Sequence, residues 1–290
     1  MQICPPSIKI RTFREVSVLN ILLTLDRNYL LPLRVLLTSL LINHPGEHFD
    51  FYIAADGFTQ EDHESIHRLL SRFDAAYHIV TIDESWFLSA PTLRYYSRAM
   101  YYRLLAGRML PQDLDRILYL DPDMLITGSL RPLYDTDMGE NLYAACIHKG
   151  LVDLSTPVNK IRLSAYETEG YFNSGMLLMN LARIRELVFP QVIFDYVKAN
   201  HALLILPDQD VLNGLYGRHI LALDEQRYNY DVRKYREYLL ASAGEHDKAW
   251  VMQNTVVLHF CGKKKPWHNS YRGRFAMLYR HYMQLSQRYG

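Results

Sequence analysis

Cysteine is scarce in this sequence. There are three, Cys4, Cys146 and Cys261, far apart and odd in number. Neither a disulfide framework nor a zinc ribbon can be built from them, so a reducing compartment and a cytoplasmic location are expected. Long apolar runs are missing as well. The longest, around residues 30–42, is broken by Pro32, Arg34 and Ser39 and is too short and too polar to span a bilayer. The opening "MQICPPSIKIRTFREV" lacks the apolar core, roughly 7–15 residues long, of a secretory signal. Peripheral membrane contact stays open. No charge sign dominates: Lys+Arg 32 against Asp+Glu 31 gives a formal net charge of +1. Without a clustered basic surface there is no case for a bulk nucleic-acid binder, and no nucleic-acid partner is expected.

What is present is an ordinary globular composition, 49% hydrophobic and 22% charged over 290 residues, enough for a core without staples. The 22 tyrosines suit stacking on sugars and bases, and suit burial with bonded hydroxyls equally well. "SVLNILLTLD", "FDFYIAAD" and "AYHIVTID" read as strands. The first two alternate with helices over "RNYLLPLRVLLTSLLINH", where Pro32 fits only the first turn, and "TQEDHESIHRLLSRF", opened by a Thr59–Asp62 capping box. This alternation predicts a parallel sheet with helices on both faces. Further on, "SRAMYYRLLAGRML" reads as one helix leading to the strand "RILYLD". "LYAACIH", "EGYFNSGMLLMNL" and "VVLHFCG" read as strands, "LARIRELVFPQVIFDYVKAN" as one helix and "PDQDVLNGLY" as a short one started by Pro207. A single domain whose second half elaborates one sheet is expected.

The stretch "RILYLDPDMLI" carries the sharpest chemistry. In extended backbone, residues i and i+2 point the same way, so Asp121 and Asp123 aim both carboxylates at one place, with Pro122 limiting the backbone between them. Two carboxylates that close need a proton or a divalent cation, and oxygen ligands suit a hard one. A plain turn is the bland alternative. A phosphatase of the haloacid-dehalogenase type is another, although its motif continues with Thr or Val where this chain has Leu125. His259 in "VLHFCGKKKPWH" offers an imidazole, which moves metal preference from Mg2+ toward Mn2+. Gly262 permits close backbone approach, and Lys263, Lys264 and Lys265 offer cations, although a basic surface loop reads the same way. Asn173 and Ser174 in "YFNSGMLLMN" are hydrogen-bonding groups before a glycine. Asp208, Gln209 and Asp210 crowd a helix start, where capping accounts for one or two of them.

Taken in order, "LTLDRNY", "YYRLLAGRMLP…DRILYLDPDMLI", "YFNSGMLLMNL", "DQDVLNGLY" and "HFCGKKKPWH" resemble the family 8 glycosyltransferases over roughly residues 18–268. These are retaining enzymes that include bacterial lipooligosaccharide galactosyltransferases and glycogenin. The resemblance implies a GT-A fold: α/β, Rossmann-like, a mostly parallel central sheet with helices on both faces. It implies an N-terminal arm at 1–17, a transferase domain at 18–270 and a C-terminal helix at 271–290. It also implies a UDP-glucose or UDP-galactose donor, Mn2+ with Mg2+ as the substitute, and a glycan, lipopolysaccharide-type or glycoprotein acceptor.

Carried over residue by residue, Asp121, Asp123 and His259 hold the metal. Tyr29 stacks on uracil while Asp26 and Asn28 bond the nucleoside, and Thr24 and Pro122 also line the donor site. Arg103 reaches the donor sugar or its phosphate. Asn173, Ser174 and Gly175 line the sugar pocket, Asp208 and Gln209 contact the transferring hexose, and Gly262 and Lys265 grip the diphosphate. Gln209, Asp208 and Arg103 are the expected catalytic residues. Arg27 stands where family members often carry a second acid, and no basic-aromatic membrane tail precedes Gly290. Retention has two explanations: double displacement through Gln209 or Asp208, or same-face attack beside the departing diphosphate. An amide is a poor nucleophile, which favours the second. A nucleotidyltransferase would carry glycine after the first strand, and "LTLDRNYLLP" has none. A non-catalytic binding module is the remaining alternative. Residues 149–170 are expected to form a mobile flap or acceptor loop.

Overall fold

Strand β1, Leu19–Asp26, is buried along nearly all its length, as its largely apolar run, interrupted only by Asn20 and Thr24 before Asp26, suits a strand covered on both faces. It lies parallel to β2 (Phe49–Asp56), from Leu19↔Phe49 to Asp26↔Asp56, and β2 lies parallel to β3 (Ala75–Ile79). On its other side β1 pairs in parallel with β4 (Arg116–Leu120). The computed structural model describes residues 18–81, 99–147 and 170–289. The arm at 1–17 and all but the last residue of the 149–170 segment lie outside the described residues, as does the end of "AYHIVTID". Among the described residues no helix is long and apolar enough to cross a membrane.

Beyond β4 the sheet adds β7 (Met176–Asn180), β6 (Tyr143–Cys146) and β8 (Ile220–Leu223), giving the order β3-β2-β1-β4-β7-β6-β8. β7 runs antiparallel to both neighbours and the remaining pairings are parallel, so the sheet is mostly parallel, as expected. Alternate residues feed opposite layers. Ile21, Leu23, Leu118 and Leu120 pack with the helices Leu30–Ile42 and Gln60–Leu70. Leu22, Ile117, Tyr119 and Leu177 pack on the opposite side with the helices Leu181–Leu187, Pro190–Asn200 and Pro207–Tyr216. The Thr59–Asp62 capping box forms as the sequence predicts.

Four expectations need correction. The second half extends the large sheet but not that sheet alone: β5 (Met124–Ile126), β10 (Val257–His259) and β9 (Tyr230–Asp231) make a separate three-stranded sheet, with a third apolar cluster around Leu125, Tyr230, Leu258 and Tyr279 of the C-terminal helix Ala276–Tyr289. "LARIRELVFPQVIFDYVKAN" is two helices. Pro190 has no N–H to give and holds Phe189 extended at φ −120°, ψ 134°, which stops the first helix and starts the second. "SRAMYYRLLAGRML" is likewise split into the turns Ala99–Tyr102 and Ala106–Met109. The break falls at Arg103, whose side chain is drawn inward to carboxylates. In "EGYFNSGMLLMNL" the strand begins only at Met176, because Asn173 to Gly175 form a turn that faces the site.

Candidate active site

Asp121 and Asp123 follow directly on β4, at the edge where β1 also ends, and Asp123 precedes β5. β5 and β10 pair antiparallel with His259 opposite Met124, and the Phe260 N–H donates to the Asp123 carbonyl at 3.0 Å. That register brings the imidazole to the carboxylate pair. One ligand atom from each of Asp121, Asp123 and His259 lies within 4.8 Å of the others, with His259 Nε2 3.2 Å from Asp123 Oδ1. Gly175 backs the cluster, its carbonyl accepting from the Asp121 N–H at 2.7 Å. A Cβ there would sit 2.6 Å from His259 Cε1 and 2.8 Å from Asp121 Oδ2, so only glycine fits. Two carboxylates and one imidazole converging behind a glycine that leaves them room are a donor set that fits a hard-to-borderline divalent cation.

Three cationic groups, Arg103, Lys265 and His259, contact these acids, and a fourth, Arg233, contacts Asp231 instead. Arg103 lies between Asp121 Oδ1 and Asp208 Oδ2, 3.1 Å from each, donates to the Ser174 carbonyl at 3.1 Å and covers the Tyr119 ring at 4.5 Å. Its buried Nε has no hydrogen-bond partner among the described residues. Lys265 donates to Asp123 Oδ2 and, at 3.1 Å, to the Phe260 carbonyl. Burial pushes the Asp121 carboxyl above the usual range against the pull of Arg103. Burial acts the same way on Asp123, but His259 and Lys265 outweigh it and hold that carboxyl well below the usual range. Burial would lower the His259 imidazole; the Cys261 sulfur and the Asp123 carboxylate overcome this and raise it well above its ordinary value. Arg233 is the fourth cation. It forks onto the fully buried Asp231, and its Nη1 would lie 2.8 Å from a Cβ on Gly262, which adopts φ +85°.

A polarised chain of side-chain amides joins the imidazole to Gln209. The backbone N–H of Gly175 donates to Asn173 Oδ1 at 2.9 Å, which fixes that amide. Asn173 Nδ2 therefore donates to Gln209 Oε1 at 3.0 Å, and the Ser174 backbone N–H reaches the same oxygen at 3.3 Å. Asn229 must then present Nδ2 to Asn173 Oδ1, at 2.8 Å, and Oδ1 to His259 Nδ1, at 2.8 Å. So His259 carries its proton on Nδ1, and Nε2 is the nitrogen turned to the carboxylates. Sequence reasoning missed Asn229. Its signal is a burial that only the β9–β10 pairing creates. Tyr119, which donates to Asp121 Oδ1 and contacts Thr24 at 3.4 Å, was also missed, as was Asp231.

Of the residues expected in the site, Asp121, Asp123, His259, Arg103, Asn173, Ser174, Gly175, Asp208, Gln209 and Lys265 form one connected cluster, and the Ser174 hydroxyl donates to Asp208 Oδ2 at 2.9 Å. Thr24 touches it through Tyr119, and Pro122 lies buried between the two aspartates. Asp26, Asn28 and Tyr29 lie at the neighbouring end of β1. There Asp26 caps its own turn, accepting from the Asn28 N–H at 2.8 Å, and Tyr29 meets Trp267 edge-on at 5.7 Å. Arg27 is committed to Asp62, Nε to Oδ2 2.8 Å, which accounts for a base at that position. Gly262 is set apart from the acids by the Lys265 turn and meets Arg233 instead.

Comparison with known proteins agrees with this geometry. The solved structure of the galactosyltransferase LgtC in complex with donor and acceptor sugar analogs superposes with a TM-score of 0.77 at 27% identity, covering 92% of this chain and 96% of that one. The lipopolysaccharide 1,2-glucosyltransferase of Escherichia coli (strain K12) is 30% identical over 251 residues, 86% of this chain and 73% of that protein. The lipopolysaccharide 1,3-galactosyltransferase of Salmonella typhimurium is 27% identical over 268 residues, 88% of this chain and 74% of that protein. Fold and site thus define a hexosyltransferase. The profile of Glycosyl transferase family 8 matches residues 20–270, and the chain belongs to that family, with its GT-A fold. The phosphatase and binding-module alternatives fall with this membership.

Proposed function

We propose that the protein transfers glucose or galactose from a UDP-sugar, with retention, to a glycan acceptor of the lipopolysaccharide type. The observation that carries this reading is the convergence of Asp121, Asp123 and His259 within 4.8 Å at the end of β4, in a family 8 chain. The acceptor class and the choice of hexoses draw on the named activities of the Escherichia coli and Salmonella typhimurium relatives. Cys146 and Cys261 are free thiols, in keeping with a reducing cytoplasm.

Mn2+ held by Asp121, Asp123 and His259 would supply Lewis-acid stabilisation of the charge on the leaving diphosphate, with Mg2+ as a weaker substitute. The chain's own groups do the rest. Lys265 exchanges its bond to Asp123 for a charge-assisted bond to the diphosphate, next to the Gly262 turn that lets the backbone approach. Losing one such donor costs about 10²–10³ in rate. Tyr29 and Trp267 form an aromatic corner for uracil, with Thr24, Asp26, Asn28 and Pro122 on the same edge. Arg103 fixes Asp208 and retains an N–H for the donor sugar. Asn173, Ser174 and Gly175 shape the pocket in which the hexose sits.

The contacts of both candidate nucleophiles favour a positioning role. Gln209 Oε1 already accepts two hydrogen bonds, and Asp208 Oδ2 accepts from Ser174 and lies against Arg103. Both groups position the hexose, and the acceptor hydroxyl attacks from the side on which the diphosphate departs, a diphosphate oxygen taking its proton. The test is release of UDP from UDP-glucose and UDP-galactose. Asp123→Ala should abolish metal-dependent turnover while the melting temperature stays within a few degrees; unchanged turnover in that variant would remove the proposal.

A further inference from the structure

Beside the Gly262 turn opens a cavity of about 810 Å³ that none of the three metal-site residues lines. Its walls are Arg233, Lys263, Lys264, His268, Arg272 and Arg274, with Gly262 and Lys265 on the rim it shares with the diphosphate turn, and no Asp or Glu lines it. The cations are segregated in sequence too: residues 260–290 hold seven Lys or Arg and no Asp or Glu, in a chain whose formal net charge is only +1. The remainder of the chain is therefore net acidic, and five of the seven cations, Lys263, Lys264, Lys265, Arg272 and Arg274, line the cavity.

One of these cations is built into place. Asp231, fully buried, accepts from the Arg233 backbone N–H and Nε at 2.9 Å through Oδ1, and from Nη2 through Oδ2. That fork leaves Nη1 directed at Gly262. A guanidinium oriented in advance loses little freedom when it meets an oxyanion. Lys263 and Lys264 stand exposed on the same rim, and Arg274 is held over the Tyr235 ring at 4.8 Å.

We infer that this cavity is a second anion site that receives a phosphate monoester carried by the acceptor sugar. The inference rests on the transferase reading above and extends it to the substrate. An acceptor hydroxyl that attacks beside the departing diphosphate has to approach next to the Gly262–Lys265 turn, and the cavity opens there. A neutral glycan would leave Lys263, Lys264, Arg272 and Arg274 of this wall without an anion to bind. A concave site fits a discrete phosphoryl group better than a flat bilayer.

The experiment is calorimetry on the full chain. UDP with Mn2+ is titrated first, then the saturated complex is titrated with glucose 6-phosphate and, separately, with glucose. One equivalent of glucose 6-phosphate should bind without displacing UDP, at least about tenfold more tightly than glucose, with an affinity that falls as salt rises. Lys263→Ala/Lys264→Ala and Arg272→Ala should each weaken it about tenfold while leaving UDP affinity unchanged. The inference is overturned if UDP binds and glucose 6-phosphate does not, if the two compete, or if the variants bind it unchanged. Capture of the protein by vesicles of anionic phospholipid, without binding of glucose 6-phosphate, overturns it in favour of a membrane surface. Should UDP itself not bind, the transferase reading is what fails, and glucose 6-phosphate titrated into the free chain and its variants still decides the anion site.

Discussion

Gln209 is buried, and its amide oxygen accepts from the Ser174 backbone N–H and from an Asn173 amide whose polarity a backbone N–H sets, which supports the positioning role proposed for it. Gln209→Ala should retain measurable hexose transfer with retained configuration, reduced by about 10²–10³ as for loss of one positioned donor group. Complete loss with intact UDP binding, seen in a transfer assay, would return the glutamine to the role of nucleophile. At His259 the relevant chemistry is a proton. The imidazole is raised well above its ordinary value, and a metal ligand must present a bare Nε2, so Mn2+ competes with a proton there. Mn2+ affinity should therefore climb with pH by up to about tenfold per unit until the raised value is passed. Calorimetry in buffers of different ionisation enthalpy reads the proton directly. For the metal-free chain the sign reverses. A folded value above the unfolded ~6.5 stabilises fully at lower pH, and that stability is lost as pH rises through the folded value.

The short strands β5, β9 and β10 are too small to hold a core alone, and their importance lies in register. β10 sets His259 opposite Met124 on one side and Asp231 on the other, so Asn229, one residue before β9, comes within reach of the imidazole Nδ1. Replacing it separates its two bonds. Asn229→Leu loses both and should weaken Mn2+ about 10–100-fold, the usual effect of removing the partner behind a ligand. Asn229→Asp keeps an acceptor for Nδ1 and loses the donor to Asn173; it should bind Mn2+ nearly as wild type yet transfer hexose more slowly. Electron paramagnetic resonance titration of Mn2+ and the 15N shifts of His259 distinguish this from simple destabilisation, which moves neither tautomer nor metal affinity selectively. If both variants bound Mn2+ as wild type does, Asn229 would be a packing residue.

For the whole molecule, the cluster straddles two sheets. Asp121 and Gly175 continue the large sheet, whereas Asp123, Asn229 and His259 belong to the small one or its edges. A ligand gripping both halves binds the folded chain alone, so UDP with Mn2+ at ~100 times its Kd should add about 2.7 kcal/mol. For a chain of this size that corresponds to a rise of roughly 4–5 °C in Tm. Asp123→Ala should show no metal-dependent part of that rise in a thermal-shift assay, and an undiminished rise would place the metal elsewhere.

The sequence by itself determined the layered α/β architecture, because apolar runs such as "ILLTLD" can be covered only from both faces, and because helix-spaced segments follow each of the first two strands. It also determined that Asp121 and Asp123 face one place, since extended backbone with Pro122 between them leaves the carboxylates little choice. The split at Pro190 is legible in the ring's missing N–H. Other features were written nowhere along the chain. The break at Arg103 depends on carboxylates that arrive from β4 and from the helix at Pro207. The imidazole meets the aspartates only because β5 and β10 pair in one register, and the direction of the Asn229–Asn173–Gln209 amides follows from two backbone N–H groups in a turn. Local sequence encodes what a residue can offer and which way its own strand faces. Which distant partner it meets, and with which atom, is decided by pairing and burial that exist only once the chain is folded.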